Sequence, residues 1–554
     1  MWALDLGTTN SGLAWFDEAA GQPRLIELPE VCREPAEDDP LEAPRMVPSA
    51  VHFLESPGWL DRLGGWPPLA RRLFLGRRAL IGRQALERNR DAVSPGFVPS
   101  FKATLSQEAS RPIARIGRTK VAAREVAGAF LREMLAEVKR ATGKRVRELV
   151  VTSPVAAFEV YRAEVQRLLQ GLGVDRVRFL DEPLAAALGY GLSFSEARTV
   201  LVVDIGGGTM HAVLVELLPR AAVAGEARVL AKHSRPLGGN AVDGWVLEEL
   251  CRRSGYPPLT AGSDELSRFW LRLMLAEACR VKEALHFEES ALFRIAPPGM
   301  LHVTAGHAAQ AMSRAELVAV LQQHGFYRGL EACLDGCFED SRLPLAEVED
   351  VLVVGGSTLL PGVFSRLEQR FGRQRLRTWQ PFEAVALGGA CFAAERLGAV
   401  DFIAHDYALI THDAATGELQ HTIIVPRGTR FPTALDLWKR QLVPTCALGE
   451  PETIFRLVVS EVQSGKVGER RFVYDAAGEL HKVGGSSGTD RLVVPLNAAS
   501  PTLGILDPPH EPADRRPRLE IAFGVNAERW LVATVKDLLT GRELMREEPV
   551  VRLL

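Results

Sequence analysis

The alternation of apolar runs and polar breaks is most informative at Leu201–Glu216, LVVDIGGGTMHAVLVE. An apolar run (Leu201, Val202, Val203) leads to Asp204 and Ile205. Three glycines and a threonine follow, then a second apolar run from Ala212 to Val215. This predicts two strands joined by a glycine turn whose backbone N–H groups lie bare, because glycine has no Cβ to cover them. Such a nest accepts phosphate oxygens. Asp204 at the strand end can hold a hydrated magnesium, and Thr209 offers a hydroxyl beside the outermost phosphate. Taken alone, the motif reads equally well as an ordinary hairpin. The chain repeats it, however: Trp2–Ala14, WALDLGTTNSGLA, is again an apolar strand, an aspartate, a Gly-Thr-Thr turn and a return strand. The repetition predicts a duplicated α/β domain gripping one polyphosphate from both sides, with Asp5 and Asp204 facing the same cation.

Between and beyond the hairpins the pattern continues to alternate strand and helix. Pro29–Pro44 is proline-rich and acidic, a solvated loop, and Arg45–Phe53 returns to strand character. In Pro57–Arg78, Trp59, Leu60, Leu63, Trp66, Leu69, Leu73 and Phe74 are interleaved with Arg62, Arg71, Arg72, Arg77 and Arg78. This reads as an insertion with snorkelling arginines, or else as a partner or membrane-surface patch. Helical spacing over Arg124–Ala141 stops at Gly143; Glu148–Ser153 reads as a strand, Glu159–Leu172 as a helix and Arg176–Leu180 as a strand. Asp181-Glu182-Pro183 then opens the helix Leu184–Gly191. A carboxylate at that junction either positions water or metal, or caps the helix. Leu237–Val246 is a Gly-Gly turn running into a helix, and helices follow at Asp264–Leu285 and Ser313–Phe338. In Glu349–Gly362 a strand passes through Gly355-Gly356-Ser357-Thr358 into a helix start, the glycines letting backbone approach a ligand. Phe382–Ala394 is the last helix.

From Tyr407 the helical period disappears. Short alternating runs at His421–Val425, Phe455–Val462, Arg470–Tyr474, Arg491–Leu496, Leu519–Val525 and Trp530–Lys536, separated by turns, predict an antiparallel β-sandwich. Gly398–Asp406 reads as a short linker with an apolar middle.

Composition narrows the class. A chain of 554 residues exceeds one core, so roughly two to four domains are expected. Hydrophobic content of 47% and charged content of 24% are those of a soluble globular protein, and a net charge of −3 gives no electrostatic reason to expect nucleic acid as partner. Seven scattered cysteines without metal spacing fit a reducing compartment. No leader pattern and no apolar run of membrane-spanning length are present, so a cytoplasmic, not membrane-spanning protein is expected.

These residues together resemble the seventy-kilodalton heat-shock chaperones of the DnaK type, over nearly the whole chain. Asp5-Leu6-Gly7-Thr8-Thr9-Asn10-Ser11 is similar to the family's first phosphate loop and Asp204-Ile205-Gly206-Gly207-Gly208-Thr209 to the second. Gly355-Gly356-Ser357-Thr358 with Pro361 resembles the adenosine segment, and Asp181 through Leu192 the signature between the lobes. Pro426-Arg427-Gly428-Thr429, Val535-Lys536-Asp537 and Thr540-Gly541-Arg542-Glu543 match the β-domain weakly, in the right order.

The resemblance implies an actin-like (duplicated ribonuclease-H-like) ATP-binding domain over 1–396, a linker over 397–406 and a β-sandwich peptide-binding domain over 407–554. It implies ATP/ADP with Mg2+, the cation on the side of Asp5 and Asp204. Lys102, in the apolar stretch FVPSFKATL and otherwise an ordinary surface lysine, matches the lysine beside the γ-phosphate. Glu182 matches the carboxylate that positions water or metal, and Thr209 the hydroxyl near the γ-phosphate. Gly239, Lys282, Gly355, Gly356 and Ser357 join the two loops in holding the nucleotide. Pro154 and Arg162 match a relay to the β-domain, and Arg178 and Asp406 match positions where J-domain co-chaperones engage. A nucleotide-exchange factor and an unfolded or extended apolar peptide are further implied partners.

The chain also departs from the family pattern. His211 stands where an aspartate is usual, Cys279 where a glutamate touches ribose, His286 where a serine stands, Leu359 where an arginine stacks on adenine, and Phe382 where an aspartate is usual. The linker Phe402-Ile403-Ala404-His405 is less leucine-rich than is common, and with the sequence ending at Leu554 no helical lid is expected. The reading is an ATP-dependent chaperone relative with slow hydrolysis. Two alternatives stand beside it: a nucleotide-binding regulator or scaffold with little hydrolysis, and a phosphotransferase such as a sugar kinase. The set Lys102, Glu182 and Thr209 argues against the first, the C-terminal strands against the second.

Overall fold

The computed structural model describes residues 1–33, 45–54, 79–89, 94–154, 159–192, 196–219, 227–260, 265–295, 310–395, 403, 405–412, 418–446, 450–464, 471–483, 491–527 and 529–553. The Pro57–Arg78 stretch falls outside them, as do Phe402, Ala404, most of the acidic loop and the Gly484–Gly488 turn. The chain divides into two compact units, Met1–Leu367 with Gln380–Leu397, and Glu368–Trp379 with Gly398–Leu554.

The first unit contains two sheets of one plan. In the first sheet, β1 (Trp2–Asp5), β2 (Asn10–Asp17) and β3 (Gln22–Leu25) form an antiparallel meander. Helices α1 (Lys102–Gln107) and α2 (Ala123–Thr142) precede β4 (Glu148–Ser153), which joins β1 in parallel. Gly143, with φ 71°, ends α2 in the left-handed conformation that glycine tolerates. Helix α3 (Glu159–Gly171) leads to β5 (Arg176–Asp181), parallel to β4, and the chain turns directly into α4 (Glu182–Gly189).

The second sheet repeats the plan. β6 (Arg198–Ile205), β7 (Met210–Leu217) and β8 (Arg228–Arg235) form the meander. After α5 (Gly239–Arg253), α6 (Glu265–Ala284) and α7 (Phe326–Ser341), strand β9 (Asp350–Val354) adds in parallel to β6. α8 (Ala384–Ala393) returns to cross α4. The crossing is built on glycines. A Cβ on Gly189 would sit 1.8 Å from the Ala384 carbonyl oxygen, and one on Gly388 would sit 1.7 Å from that of Ala185. No other residue fits at either place.

The helix expected over Ser313–Phe338 is two helices. Arg314–Gln323 ends at His324, and Gly325 with φ 73° separates it from α7. Leu321 and Phe326 are both fully buried, so the apolar rhythm runs on across a break that only the glycine betrays.

In the second unit the strands are β10 (Asp406–His412), β11 (Leu419–Val425), β12 (Trp438–Leu442), β13 (Glu452–Leu457), β14 (Val459–Ser464), β15 (Arg471–Tyr474), β16 (Leu480–Val483), β17 (Arg491–Pro495), β18 (Thr502–His510), β19 (Leu519–Val525), β20 (Trp530–Asp537) and β21 (Glu543–Arg552). All their pairings are antiparallel, in orders β11–β10–β14–β17, β12–β19–β20–β21, β13–β18 and β15–β16. Tyr407, Leu409 and Val459 from the first set share one core with Ile521, Phe523, Leu531 and Val535 from the second. The strand expected over Phe455–Val462 is interrupted at Val458, where the chain leaves β18 as partner and takes up β10.

Among the described residues no helix is long and apolar enough to cross a membrane.

Candidate functional site

The two glycine turns of the first unit face each other. A Cβ on Gly207 would lie 2.2 Å from Thr9 Oγ1, and one on Gly208 would lie 3.9 Å from Thr8 Cγ2. Each turn is held from behind by its carbonyls. The Gly7 and Thr8 oxygens accept from the Ser49 and Ser100 hydroxyls, both at 2.8 Å, and the Thr9 oxygen accepts from Ser49 N at 2.8 Å. In the second turn, Gly206 O accepts from Gly239 N at 3.0 Å and from Ser357 Oγ at 3.0 Å, and Gly207 O accepts from Asn240 N at 2.8 Å. A trans peptide points its N–H opposite to its C=O. Tying these carbonyls back therefore turns the N–H groups of Thr8, Thr9, Asn10, Gly207 and Gly208 to the other side of their loops. Gly7 is required by closeness alone, since its Cβ would be 1.9 Å from the Asn10 carbonyl oxygen.

Charged groups gather where the strands end. Asp5 closes β1 and accepts from the Thr152 hydroxyl of β4 at 2.7 Å. Asp204 stands near the end of β6, opposite His211 of β7. Gly355 lies against it: its φ is 89°, and a Cβ would be 2.6 Å from Asp204 Oδ1. Lys102, first residue of α1, donates from Nζ to Oε1 of Glu182, first residue of α4, at 3.0 Å. Burial raises the Asp5 carboxyl from 3.8 to about 6, and the Glu182 charge adds to this while Lys102 and the Thr152 hydrogen bond oppose it. Asp204 goes further, to about 7, through burial first and then Glu182. Burial disfavours the Lys102 ammonium, but Glu182, Tyr161 and Asp5 outweigh it and hold the lysine above its ordinary range.

Thr209 and His211 lie side by side, with Thr209 Oγ1 2.8 Å from His211 Nε2. Burial, then Lys232, lowers the His211 pKa, so the ring is neutral at pH 7. On the far side Lys282 Nζ is 2.7 Å from Asp243 Oδ1 and 3.4 Å from the Gly239 carbonyl. The Cys279 thiol, 3.7 Å from Lys282 Nζ, donates to Glu283 at 3.6 Å. Leu359 is buried, and the Phe382 ring covers the Gly356 backbone so closely that a Cβ there would be 2.5 Å from Cε1.

The structure thus brings Asp5, Lys102, Glu182, Asp204, Thr209 and both turns into one cleft, with Gly239, Lys282, Gly355, Gly356 and Ser357 along its continuation. Asp181 occupies the N-cap position of α4 without capping it; its side chain pairs with Arg162 at 2.6 Å. Arg178 donates to the Ala393 carbonyl at 3.1 Å and lies over the Phe392 ring. In the second unit, Asp406 accepts from Arg427 N at 2.7 Å.

Five participants escaped the sequence reading: Ser49, Ser100, Thr152, Tyr161 and Lys232. Thr152 carried a signal, a hydroxyl that with Ser153 closes the buried run LVVTS. Lys232, on β8 opposite Val213, had none, because a lysine in an alternating strand is ordinarily solvent-facing.

A family model described as "Hsp70 protein" matches residues 3–436. Curated relatives are similar over almost all of the chain. The "Chaperone protein DnaK" of Thermus thermophilus is 24% identical over 558 residues, covering 98% of this chain and 79% of the relative. "Heat shock protein SSC3, mitochondrial" of Saccharomyces cerevisiae is 26% identical, with 98% and 75% covered. The "Stromal 70 kDa heat shock-related protein, chloroplastic" of Pisum sativum is 25% identical, with 98% and 69% covered.

Proposed function

This chain belongs to the Hsp70 family, and from that premise we propose that it is an ATP-dependent chaperone that binds extended apolar peptide and hydrolyses ATP slowly. Membership supports reading the first unit as an actin-like, duplicated ribonuclease-H-like nucleotide-binding domain, residues 1–396. It supports a linker over 397–406 and an antiparallel β-sandwich from 407 onward for the peptide. The observation that carries the proposal is the pair of facing glycine turns with Asp5, Asp204 and the Lys102–Glu182 pair between them.

The residues fit Mg2+ and a nucleoside triphosphate. Loop carbonyls tied back leave a row of N–H donors for phosphate oxygens. Burial and the Glu182 charge raise both carboxyls, and Lys102 offsets this only in part; a divalent ion on the Asp5 and Asp204 side would supply the further positive charge. Bound there, magnesium neutralises phosphate charge. The chain's own residues do the rest. Lys102 presents its ammonium to the phosphoryl group, Glu182 orients the water, and Thr209 meets the outermost phosphate. Phosphoryl transfer asks chiefly for such positioning and charge. Lys282, Gly239, Ser357, Gly355 and Gly356 line the nucleoside end, where Lys282 is shared with Asp243 and Phe382 offers a ring to the base.

Two measurements test this. Calorimetric titration with Mg-ATP and Mg-ADP is expected to show binding, and silence at millimolar nucleotide overturns the reading. Single-turnover hydrolysis is expected to be slow and to speed up with an extended apolar peptide. Nucleotide bound without any turnover would favour the scaffold alternative, which the neutral His211 beside Thr209 keeps open.

His211 allows a separate prediction. A neutral imidazole supplies no fixed negative charge beside Thr209, whereas a carboxylate would. His211→Asp is expected to raise the single-turnover rate several-fold. A slower variant would mean that the ring's contact with the Thr209 hydroxyl is itself what turnover needs.

A further inference from the structure

Tyr161 lies in the first turn of α3 with its side chain 1% exposed, in the core that contains Phe101 and Phe130. Among the described residues its hydroxyl has no hydrogen-bond partner. Helix α3 packs against α1, which begins with Lys102. The phenol is close enough to Lys102, Glu182 and Asp5 for all three charges to act on it, Lys102 most strongly. A hydroxyl withdrawn from water and left unpaired costs about 1–3 kcal/mol. Phenylalanine would fill the same space without that cost.

An ammonium carries three N–H donors, and Glu182 takes one of those on Lys102. We propose that the Tyr161 hydroxyl is a positioning acceptor for Lys102. When a phosphoryl group draws the ammonium into the cleft, one N–H stays on Glu182, a second turns to the phenolic oxygen, and the third meets the phosphoryl oxygen. Three fixed partners define the ammonium's place, where two would leave it free to swing. In a pocket this closed, water is a poor substitute for the third. The inference rests on the proposed ATP reaction and adds a residue to it.

Tyr161→Phe removes one oxygen and keeps the ring. Single-turnover hydrolysis is expected to fall about tenfold, the loss typical of a reacting group held slightly out of place. The Kd for Mg-ATP should stay within about threefold, and the Tm of the free protein should be unchanged or higher, since the unpaired group is gone. With ten lysines in the chain, the 15N ammonium signal of Lys102 can be assigned as the one missing from Lys102→Ala. That signal should differ between wild type and Tyr161→Phe when magnesium and the β,γ-imido analogue of ATP are bound, and coincide when they are absent. A merely structural tyrosine would instead lower Tm and leave the bound-state signal unmoved. Wild-type turnover in Tyr161→Phe, or a slower rate with an unmoved Lys102 signal, overturns the inference alone. A wild type that binds the analogue yet never hydrolyses ATP overturns the proposed reaction, and the ammonium signal still decides the role of Tyr161. Failure of the wild type to bind nucleotide overturns both.

Discussion

Lys102→Ala is expected to lower single-turnover ATP hydrolysis about 100- to 1,000-fold while Mg-ATP remains bound. The range is that seen when one preorganised group facing the developing charge is removed. Lys102 is the cation nearest Glu182, 3.0 Å away, on an element whose start is fixed by the buried Phe101. Its loss has two consequences. The phosphoryl oxygens lose their ammonium, and Glu182 loses the donor that fixes its rotamer. Nucleotide affinity should change far less, because the two turns hold the phosphates through backbone that the substitution does not touch. Lys102→Met, which keeps most of the stem, should behave like the alanine variant and so exclude lost packing as the cause. Rates near wild type in either would remove Lys102 from the reaction.

The second large effect concerns Asp204. Its carboxyl, ordinarily at 3.8, is raised to about 7, and that of Asp5 to about 6. Both hold their protons more tightly folded than unfolded. Across roughly pH 4 to 7 the native state therefore carries more protons, and the stability these groups contribute falls as pH rises through that window. Above it both are ionised, buried and mutually repelled. Asp204→Asn removes the larger share of this. Without nucleotide or magnesium, the variant is expected to melt several degrees above wild type at pH 8, with the gap narrowing as pH falls and closing near pH 4. In the presence of Mg-ATP the order should reverse, because the cation side has lost a carboxylate. Hydrolysis should fall along with it, the trade between stability and function expected where a site stores unfavourable charge. Parallel Tm–pH curves for the two proteins would contradict the account.

Much of this site could be read from the chain because its key parts are local. A strand, an aspartate and a glycine turn lie within ten residues, and the glycines at 7 and 207 are where a Cβ would collide. Other parts are assembled from a distance. Thr152 reaches Asp5 from a strand nearly 150 positions away, and Tyr161 looks like any core aromatic on an amphipathic helix. Nothing local distinguishes a buried phenol beside a lysine from one beside a leucine. The role proposed for Lys102 comes only from the family resemblance, while its pairing with Glu182 is seen in the structure. In the second unit, runs of alternating apolar residues were legible as strands. β10, β12, β16, β18 and β21 were not; β18 carries Asp507-Pro508-Pro509, and most of its second half is exposed. Such a strand pairs along one edge only, where proline is tolerated. The break at Val458 escaped because alternation survives a change of partner.

The crossing of α4 and α8 has a mechanical meaning. Helices that meet through side-chain ridges can turn on each other only by lifting ridges out of grooves. Here Gly189 and Gly388 bring backbone onto backbone, and the contact offers no ridge to lift. Such a joint resists being pressed closer or slid apart, but it gives little resistance to swivelling. Glu182 sits at the start of one of the two shafts, so a small turn at the bearing would swing the carboxylate proposed to orient the water. An alanine at either glycine would wedge the two helices apart.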